Sequence, residues 1–517
     1  MTDSYDSVII GAGINGLVCA AYLAKAGQKV LVLDARETIG GMAGGDSLGG
    51  DYFLPGLAHW SYPLDAGLQD DLNLQKHGLV AGEPIETVAL NIDGDHLTIG
   101  QDRVSGPGLS PEDIAAYADF KREYRAFAEV LAPLFRNKPP RLKDMDFADK
   151  LTLAKAGWKM RFGLGRDAMR EFLRMAGMNI YDVLNDTLSD ERLKAAIAVD
   201  AVLGHHMGPR TPGTVLTYLT RIFGERNGQM TQLTIGRSRA CDALGQSVEA
   251  NGAEIRTSEK VVRVIVDNDG VAGVELAGGE IIDSRRVVSS ADARTTFLKL
   301  TGAQHLDAMF AHRVSRIRGK GDVVKLHIAL DGLPMFPGLS EAMLKNRLVI
   351  APDLRYIENA FNASKYGEYS SEPILEITIP SLLDASLAPD GHHVVSIAAS
   401  YAPYDLVGGW DEHKTTLAYK IISLVDQYAP GFKAHVVDHK IITPEDIERE
   451  FSTAGGHWHH GELTMHQSMM MRPVHGAAQY DTPVAGLFLC GAGCHPGGGI
   501  TGLPGHNAAQ RILGGGN

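Results

Sequence analysis

The chain of 517 residues is poor in cysteine: Cys19, Cys241, Cys490 and Cys494 are all it has. So few thiols exclude a disulfide framework and fit a reducing compartment. Cys490 and Cys494 stand four apart, which is neither a CxxC redox pair nor half of a zinc site, so buried thiols are expected. No run of about 18 uncharged apolar residues is present, which argues against a spanning helix. The first predicted strand begins near Asp6, leaving no room for a signal peptide ahead of it. A cytoplasmic protein is expected. Positive charge is in deficit, with 49 Lys and Arg against 62 Asp and Glu and a net charge of −13. That balance argues against nucleic acid as a partner. Internal repeats and low-complexity tracts are also missing. What remains is a globular composition, 44% hydrophobic, on a chain too long for one core.

The opening residues are the most informative. Asp6–Gly13 is an apolar, β-branched run that ends on glycine. Residues 14–27 carry helical spacing with Gly27 as a stop, and 28–35 form a second buried strand. Within this βαβ unit, Gly11, Gly13 and Gly16 match GxGxxG. Gly11 allows the tight turn, Gly13 lets backbone approach a pyrophosphate, and Gly16 lets the helix pack close to the sheet. The helix N-terminus then faces the phosphates. Asp34 ends the second strand, placed for a ribose hydroxyl pair.

This unit alone does not separate FAD from NAD. Two features favour FAD. Gly40-Gly41-Met42-Ala43 supplies a second glycine turn near the flavin-side phosphate. The C-terminal strand over 487–490, breaking into Gly491-Ala492-Gly493 and a final helix, supplies a second helix N-terminus for a long dinucleotide. Between them, 228–252 reads as a helix ending at Asn251-Gly252. Short alternating strands follow to residue 292, separated by Asn268-Asp269-Gly270 and Gly278-Gly279, and predict a meander inserted into a doubly wound domain. The segments 90–220 and 311–465 hold most of the long helical patterns.

These motifs resemble the phytoene desaturase and carotenoid isomerase branch of the flavin amine oxidase-like superfamily. Within it they are most similar to the group of pyridine nucleotide-disulfide oxidoreductase domain-containing protein 2 and its bacterial relatives. The resemblance rests on the GxGxxG unit, the GGMA turn, Leu54-Pro55-Gly56, Thr211-Pro212-Gly213 and the 253–292 strands. It also rests on TPEDIEREF through GGHWHHGEL, Arg472-Pro473, and GLFLCGAGCHPGGGITG with GHNAA. It covers nearly the whole chain. It implies an α/β fold: a Rossmann-type FAD-binding domain with a discontinuous mixed α+β substrate or cap domain. The expected division is 1–90, 221–310 and 466–517 for FAD, and 91–220 with 311–465 for substrate.

The resemblance assigns cofactor contacts to Gly11, Gly13, Ile14, Asn15, Gly16, Asp34, Ala35, Arg36, Gly41, Met42, Ala43, Val262, Gly491, Ala492, Gly499 and Ile500. Two departures stand out. Met42 replaces the arginine that many relatives carry after the paired glycines. Ala492 replaces an acid, so a ribityl contact would come from backbone. Disulfide chemistry does not carry over from the family name, because no redox cysteine pair lies near the first helix.

The resemblance implies hydride transfer from a substrate C–H to FAD, with desaturation of an apolar isoprenoid, alicyclic or conjugated molecule. The electron acceptor, oxygen or a quinone, is left open. A flavin amine oxidase, a redox-neutral isomerase and a flavoprotein kept mainly for assembly are the alternatives. Peroxide release with amines, absence of net electron transfer, or absence of any flavin reduction would mark each in turn. Candidate proton carriers are His460, His495 and His459, with His457, His205 and His206 behind them, and Tyr62, Glu462 and Asp200 weaker. Each histidine could instead be structural. The spacing at 457–460 does not suggest a metal site. Met465, Met469, Met470 and Met471 suit either an adaptable cavity near the ring or ordinary core filling. Cys494 is the one residue worth checking for a covalent flavin. From Lys150 to Arg174, seven cations interleave with Leu151, Trp158, Met160, Phe162 and Leu164. That pattern suits a peripheral contact with an anionic membrane, or a solvated cap helix.

Overall fold

The computed structural model describes residues 4–58, 60–141, 143–232, 239–268 and 270–515. Asp269, in the first expected hairpin turn, and 233–238, within the expected 228–252 helix, lie outside them. Of that helix, Arg239–Ala250 is observed, preceded by a two-residue strand Thr231–Gln232.

A five-stranded parallel sheet organises the nucleotide-binding part. Its strands are β1 (Ser7–Ile10), β2 (Val30–Leu33), β3 (Glu254–Arg256), β4 (Val287–Ser289) and β5 (Leu487–Leu489), in the order β3-β2-β1-β4-β5. Helix α1 (Ile14–Lys25) crosses from β1 to β2. It packs against Arg239–Ala250 on one side and Leu503–Leu513 on the other. The strands are apolar throughout because helices cover both faces. Strand order reverses beside β1, so the crevice at the strand carboxyl ends opens there. The meander expected at 253–292 is present as Val261–Asp267, Gly270–Leu276 and Ile281–Asp283.

The second layer is only partly legible in the sequence. It is an eight-stranded sheet, ordered Val436–Ile442, Val323–Leu330, His393–Ser400, Leu375–Thr378, Arg347–Ile350, Thr87–Ala89, Leu97–Ile99 and Val104–Ser105 from edge to edge. The first five of these strands come from residues 311–465. Pairing is antiparallel except between Arg347–Ile350 and Thr87–Ala89. Thr87–Ala89 thus joins the second sheet, although the sequence division places residues up to 90 with the nucleotide. Val323–Leu330 and His393–Ser400 are continuous buried runs, and such runs carry no alternation that would separate strand from buried helix. Helices Pro111–Phe135, Glu191–Val202 and Thr214–Phe223 form their own apolar core above this sheet. Among the described residues, no helix is long and apolar enough to cross a membrane.

Candidate functional site

β1 delivers the chain into Gly11-Ala12-Gly13 and α1. A Cβ on Gly16 would stand 2.0 Å from the Gly11 carbonyl oxygen, so only glycine lets the helix close onto the strand end. Ser290, just past β4, donates its hydroxyl to the carbonyls of Ile10 (2.8 Å) and Gly11 (3.1 Å). Asp34 does more than the sequence suggests. Its Oδ2 accepts the Ala12 amide (2.7 Å) and its Oδ1 accepts the Arg36 amide (2.8 Å), so the carboxylate braces the turn that it also faces. The two glycine turns form one unit. The Gly40 amide donates to the Ala12 carbonyl (2.8 Å), Gly13 bridges Gly40 in parallel, and the Arg36 guanidinium donates to the Gly41 carbonyl (2.8 Å).

These turns open onto a cavity of about 620 Å³. Of the residues expected at the cofactor, Gly11, Gly13, Ile14, Asn15, Asp34, Ala35, Arg36, Gly41, Met42, Ala43, Val262, Ala492, Gly499 and Ile500 line it. Gly16 and Gly491 do not. They serve backbone packing: a Cβ on Gly491 would meet the Ser290 carbonyl oxygen at 2.2 Å. The lining suits a long dinucleotide. A Cβ on Gly13 or Gly499 would meet no described protein atom within 4 Å, so both glycines border open volume. The α1 N-terminus has no side-chain cap and no acid in its first turn, and buried Asn15 Oδ1 has no hydrogen-bond partner among the described residues. Free amides and a favourable dipole at one place match a pyrophosphate.

The candidate proton carriers lie in or against the C-terminal glycine turn. His459 packs on Gly498, where a Cβ would approach its Nδ1 to 2.4 Å, and His460 packs on Gly493. Both line the cavity. Arg472 fixes this arrangement, a role the sequence motif does not disclose. Among the described residues, no carboxylate pairs with its buried guanidinium. It donates instead to the carbonyls of Glu462 (2.9 Å), His459 (3.0 Å), Ala492 (3.0 Å), Gly461 (3.3 Å) and Cys494 (3.3 Å). Burial lowers its pKa to about 10.

Several expectations are corrected here. His495 is turned away from the cavity, with Nε2 2.9 Å from the Leu134 carbonyl oxygen, and burial lowers its pKa to about 4. Burial, followed by the charge of His205, holds His459 well below the usual imidazole range, and burial also lowers His460. These rings are therefore neutral near pH 7 rather than poised to titrate. His205 lines the cavity and stacks on His459 at 5.1 Å, its pKa lowered by burial to about 3. His457 stands behind them, 5.6 Å from His205. His206 instead pairs with Asp322 (2.9 Å) and, like Glu462, does not line the cavity. Met465, Met469, Met470 and Met471 do not line it either, and Met465 and Met471 are exposed. Cys494 lies outside the cavity wall, its thiol pushed up to about 12 by burial.

The cavity is also walled by Trp60, Tyr62, Asp200, Arg221 and Glu376. Glu376 accepts the Trp60 indole N–H and the Arg347 Nε–H (2.5 Å), and Arg347 Nη2 lies 2.9 Å from Asp200 Oδ1 as an ion pair. Sequence reasoning notes Asp200 and Tyr62 and misses the rest. Trp60, Arg221, Arg347 and Glu376 come from four distant segments, with no local pattern to join them.

Residues 9–69 match the NAD(P)-binding Rossmann-like domain. Pyridine nucleotide-disulfide oxidoreductase domain-containing protein 2 of Rattus norvegicus is 34% identical, over 98% of this chain and 93% of that protein. One of the limonene dehydrogenase subunits of Castellaniella defragrans is 26% identical over 98% and 94%. A neurosporene-forming phytoene desaturase of Rhodobacter capsulatus is 23% identical over 96% and 91%. Among solved structures, cyclohexylamine oxidase of Brevibacterium oxydans superposes with a TM-score of 0.58 at 15% identity, over 99% of each chain; that likeness concerns the fold.

Proposed function

This chain belongs to the family of pyridine nucleotide-disulfide oxidoreductase domain-containing protein 2, and from that premise we propose that it is an FAD-dependent dehydrogenase acting on adjacent C–H bonds of an isoprenoid or alicyclic substrate. One observation carries the reading: a single cavity is lined both by the paired glycine turns and by Asp200, Thr217 and Arg221 of the helical layer. FAD, when bound, supplies the acceptor for a hydride. The protein's part is to hold it, to exclude water and to take the accompanying proton. Gly11, Gly13, Asn15 and the α1 N-terminus would hold the pyrophosphate, Asp34 the adenosine ribose, and the backbone of Ala492–Ile500 the ring end. His459 and His460, neutral and buried, offer imidazole nitrogens where that end meets the rest of the cavity. Their low basicity means a proton taken from carbon is passed on rather than kept.

The names of limonene dehydrogenase and phytoene desaturase support an isoprenoid or alicyclic skeleton. Oxygen or a quinone would be the electron acceptor. Disulfide exchange has no support in the site, since no cysteine among the described residues lines the cavity. The test is anaerobic bleaching of the bound flavin by a panel of isoprenoids, cyclic ketones and amines. Bleaching by isoprenoid or alicyclic compounds is the expected result. Bleaching by amines alone would replace this reading with an amine oxidase.

A further inference from the structure

The cavity wall carries polar groups that the dehydrogenase reading leaves unused. Helix Thr214–Phe223 turns Thr217 and Arg221 toward the cavity, one turn apart on one face. Both present buried atoms without a hydrogen-bond partner among the described residues: Oγ1 of Thr217 and Nη2 of Arg221. The neighbouring acids answer Arg221 only through a long ion pair, in which Asp200 Oδ1 is itself without a hydrogen bond. Glu376 is taken by Arg347 and the Trp60 indole, and Asp200 lies 2.9 Å from Arg347 Nη2. Arg221 is left with Asp200 Oδ1 at 3.6 Å from its Nε. Its guanidinium carbon lies 3.4 Å from the Trp60 ring centroid, which orients the guanidinium.

Around Tyr62 and Trp60, the cations Lys121, Arg125, Arg221 and Arg347 face the enclosed acids Asp200, Glu225 and Glu376. The remaining acid, Asp102 on Arg125, is 77% exposed. Four cations thus face four acids, so it is the unpaired donor atoms, and not a net charge, that call for an anion. Leaving guanidinium N–H groups and a hydroxyl unsatisfied in an enclosed wall is unfavourable, and an anion with two oxygens relieves both.

We propose that Arg221 and Thr217 form the subsite for a carboxylate of the substrate, one oxygen on Arg221 Nη2 and the other on Thr217 Oγ1, with the apolar body against Trp60, Leu203 and Phe223. The substrate is then an acid on an isoprenoid or alicyclic skeleton rather than a bare hydrocarbon. This inference rests on the dehydrogenase reading for where the substrate lies.

The test uses the full-length, FAD-loaded protein, titrated calorimetrically with geranic acid, methyl geranate and geraniol. The acid is expected to bind about tenfold or more tightly than the ester or the alcohol. Arg221→Gln should abolish that preference, and Thr217→Val should reduce it several-fold, with ester affinity falling far less than that of the acid in both. Equal binding of acid and ester, no binding of the acid, or a preference that survives Arg221→Gln overturns the proposal. Should Arg221→Gln fail to fold, Thr217→Val decides: an acid preference it leaves unaltered overturns the pairing. The two readings fail separately. Preferred binding of the acid without anaerobic bleaching keeps the subsite and counts against dehydrogenation. Equal bleaching by all three, without binding preference, does the reverse.

Discussion

Single residues in the cradle have separable duties. Gly16 closes the helix onto the strand, whereas Gly13 borders open cavity in an extended conformation that any residue can adopt. Gly13→Val should therefore leave the melting temperature of the cofactor-free protein unchanged. It should weaken flavin binding at least about a hundredfold, because the added methyls occupy the pyrophosphate's place. A thermal melt and a flavin fluorescence titration check the two halves. Asp34 shows the reverse, one residue with two duties. A sequence can mark it for a ribose, but only the fold reveals that both its oxygens already hold backbone amides.

Among elements, the loop 457–467 and the terminal glycine turn act as one piece because Arg472 joins them through backbone carbonyls. Arg472→Leu strands those carbonyls in the interior and should cost about 3 kcal/mol or more of stability. Arg472→Lys should recover little of it, since an ammonium cannot span carbonyls of both segments. Urea unfolding of the two variants measures this. The segment beyond Asp146 is another such element: helix Phe147–Trp158, a π-helical turn Lys159–Gly163 and helix Arg166–Met175. Phe147 is 81% exposed, Trp158 66% and Phe162 62%, among exposed lysines and arginines. Apolar rings amid cations on an acidic protein suit an anionic bilayer. Co-flotation with anionic vesicles and not with neutral ones is expected, and Trp158→Ser with Phe162→Ser should abolish it. Absence of flotation with both vesicle types ends the idea.

At the scale of the whole molecule, the buried imidazoles govern the response to acid. His205, His457, His459, His460 and His495 all have pKa values lowered by burial. The unfolded chain binds protons on them near pH 6.5, while the folded chain resists down to about 3 for His205 and about 4 for His495. Their contribution to stability is thus full above about pH 6.5 and shrinks as pH falls toward those values. At pH 5, His205 and His495 alone should cost about 4 kcal/mol. Glu462 and Asp322, raised by burial, act in the opposite sense but are fewer. The urea midpoint should drop markedly between pH 7 and pH 5. A midpoint that holds or rises would show these rings to be solvated.

The βαβ unit, both glycine turns, the meander and the closing strand were readable because each is local. Apolar periodicity fixes the element, and glycine marks where backbone must turn or come close. The terminal turn lies more than 470 residues from the first, yet its glycines alone carry the expectation of a second approach to a dinucleotide. The eight-stranded sheet, the protonation state of the histidines, the carbonyl cage of Arg472 and the pairing of Arg221 with Trp60 were decided by tertiary structure. A pKa follows from burial, and a cluster of Trp60, Asp200, Arg221, Arg347 and Glu376 follows from how five separate segments meet. Neither leaves a period or a spacing in the chain.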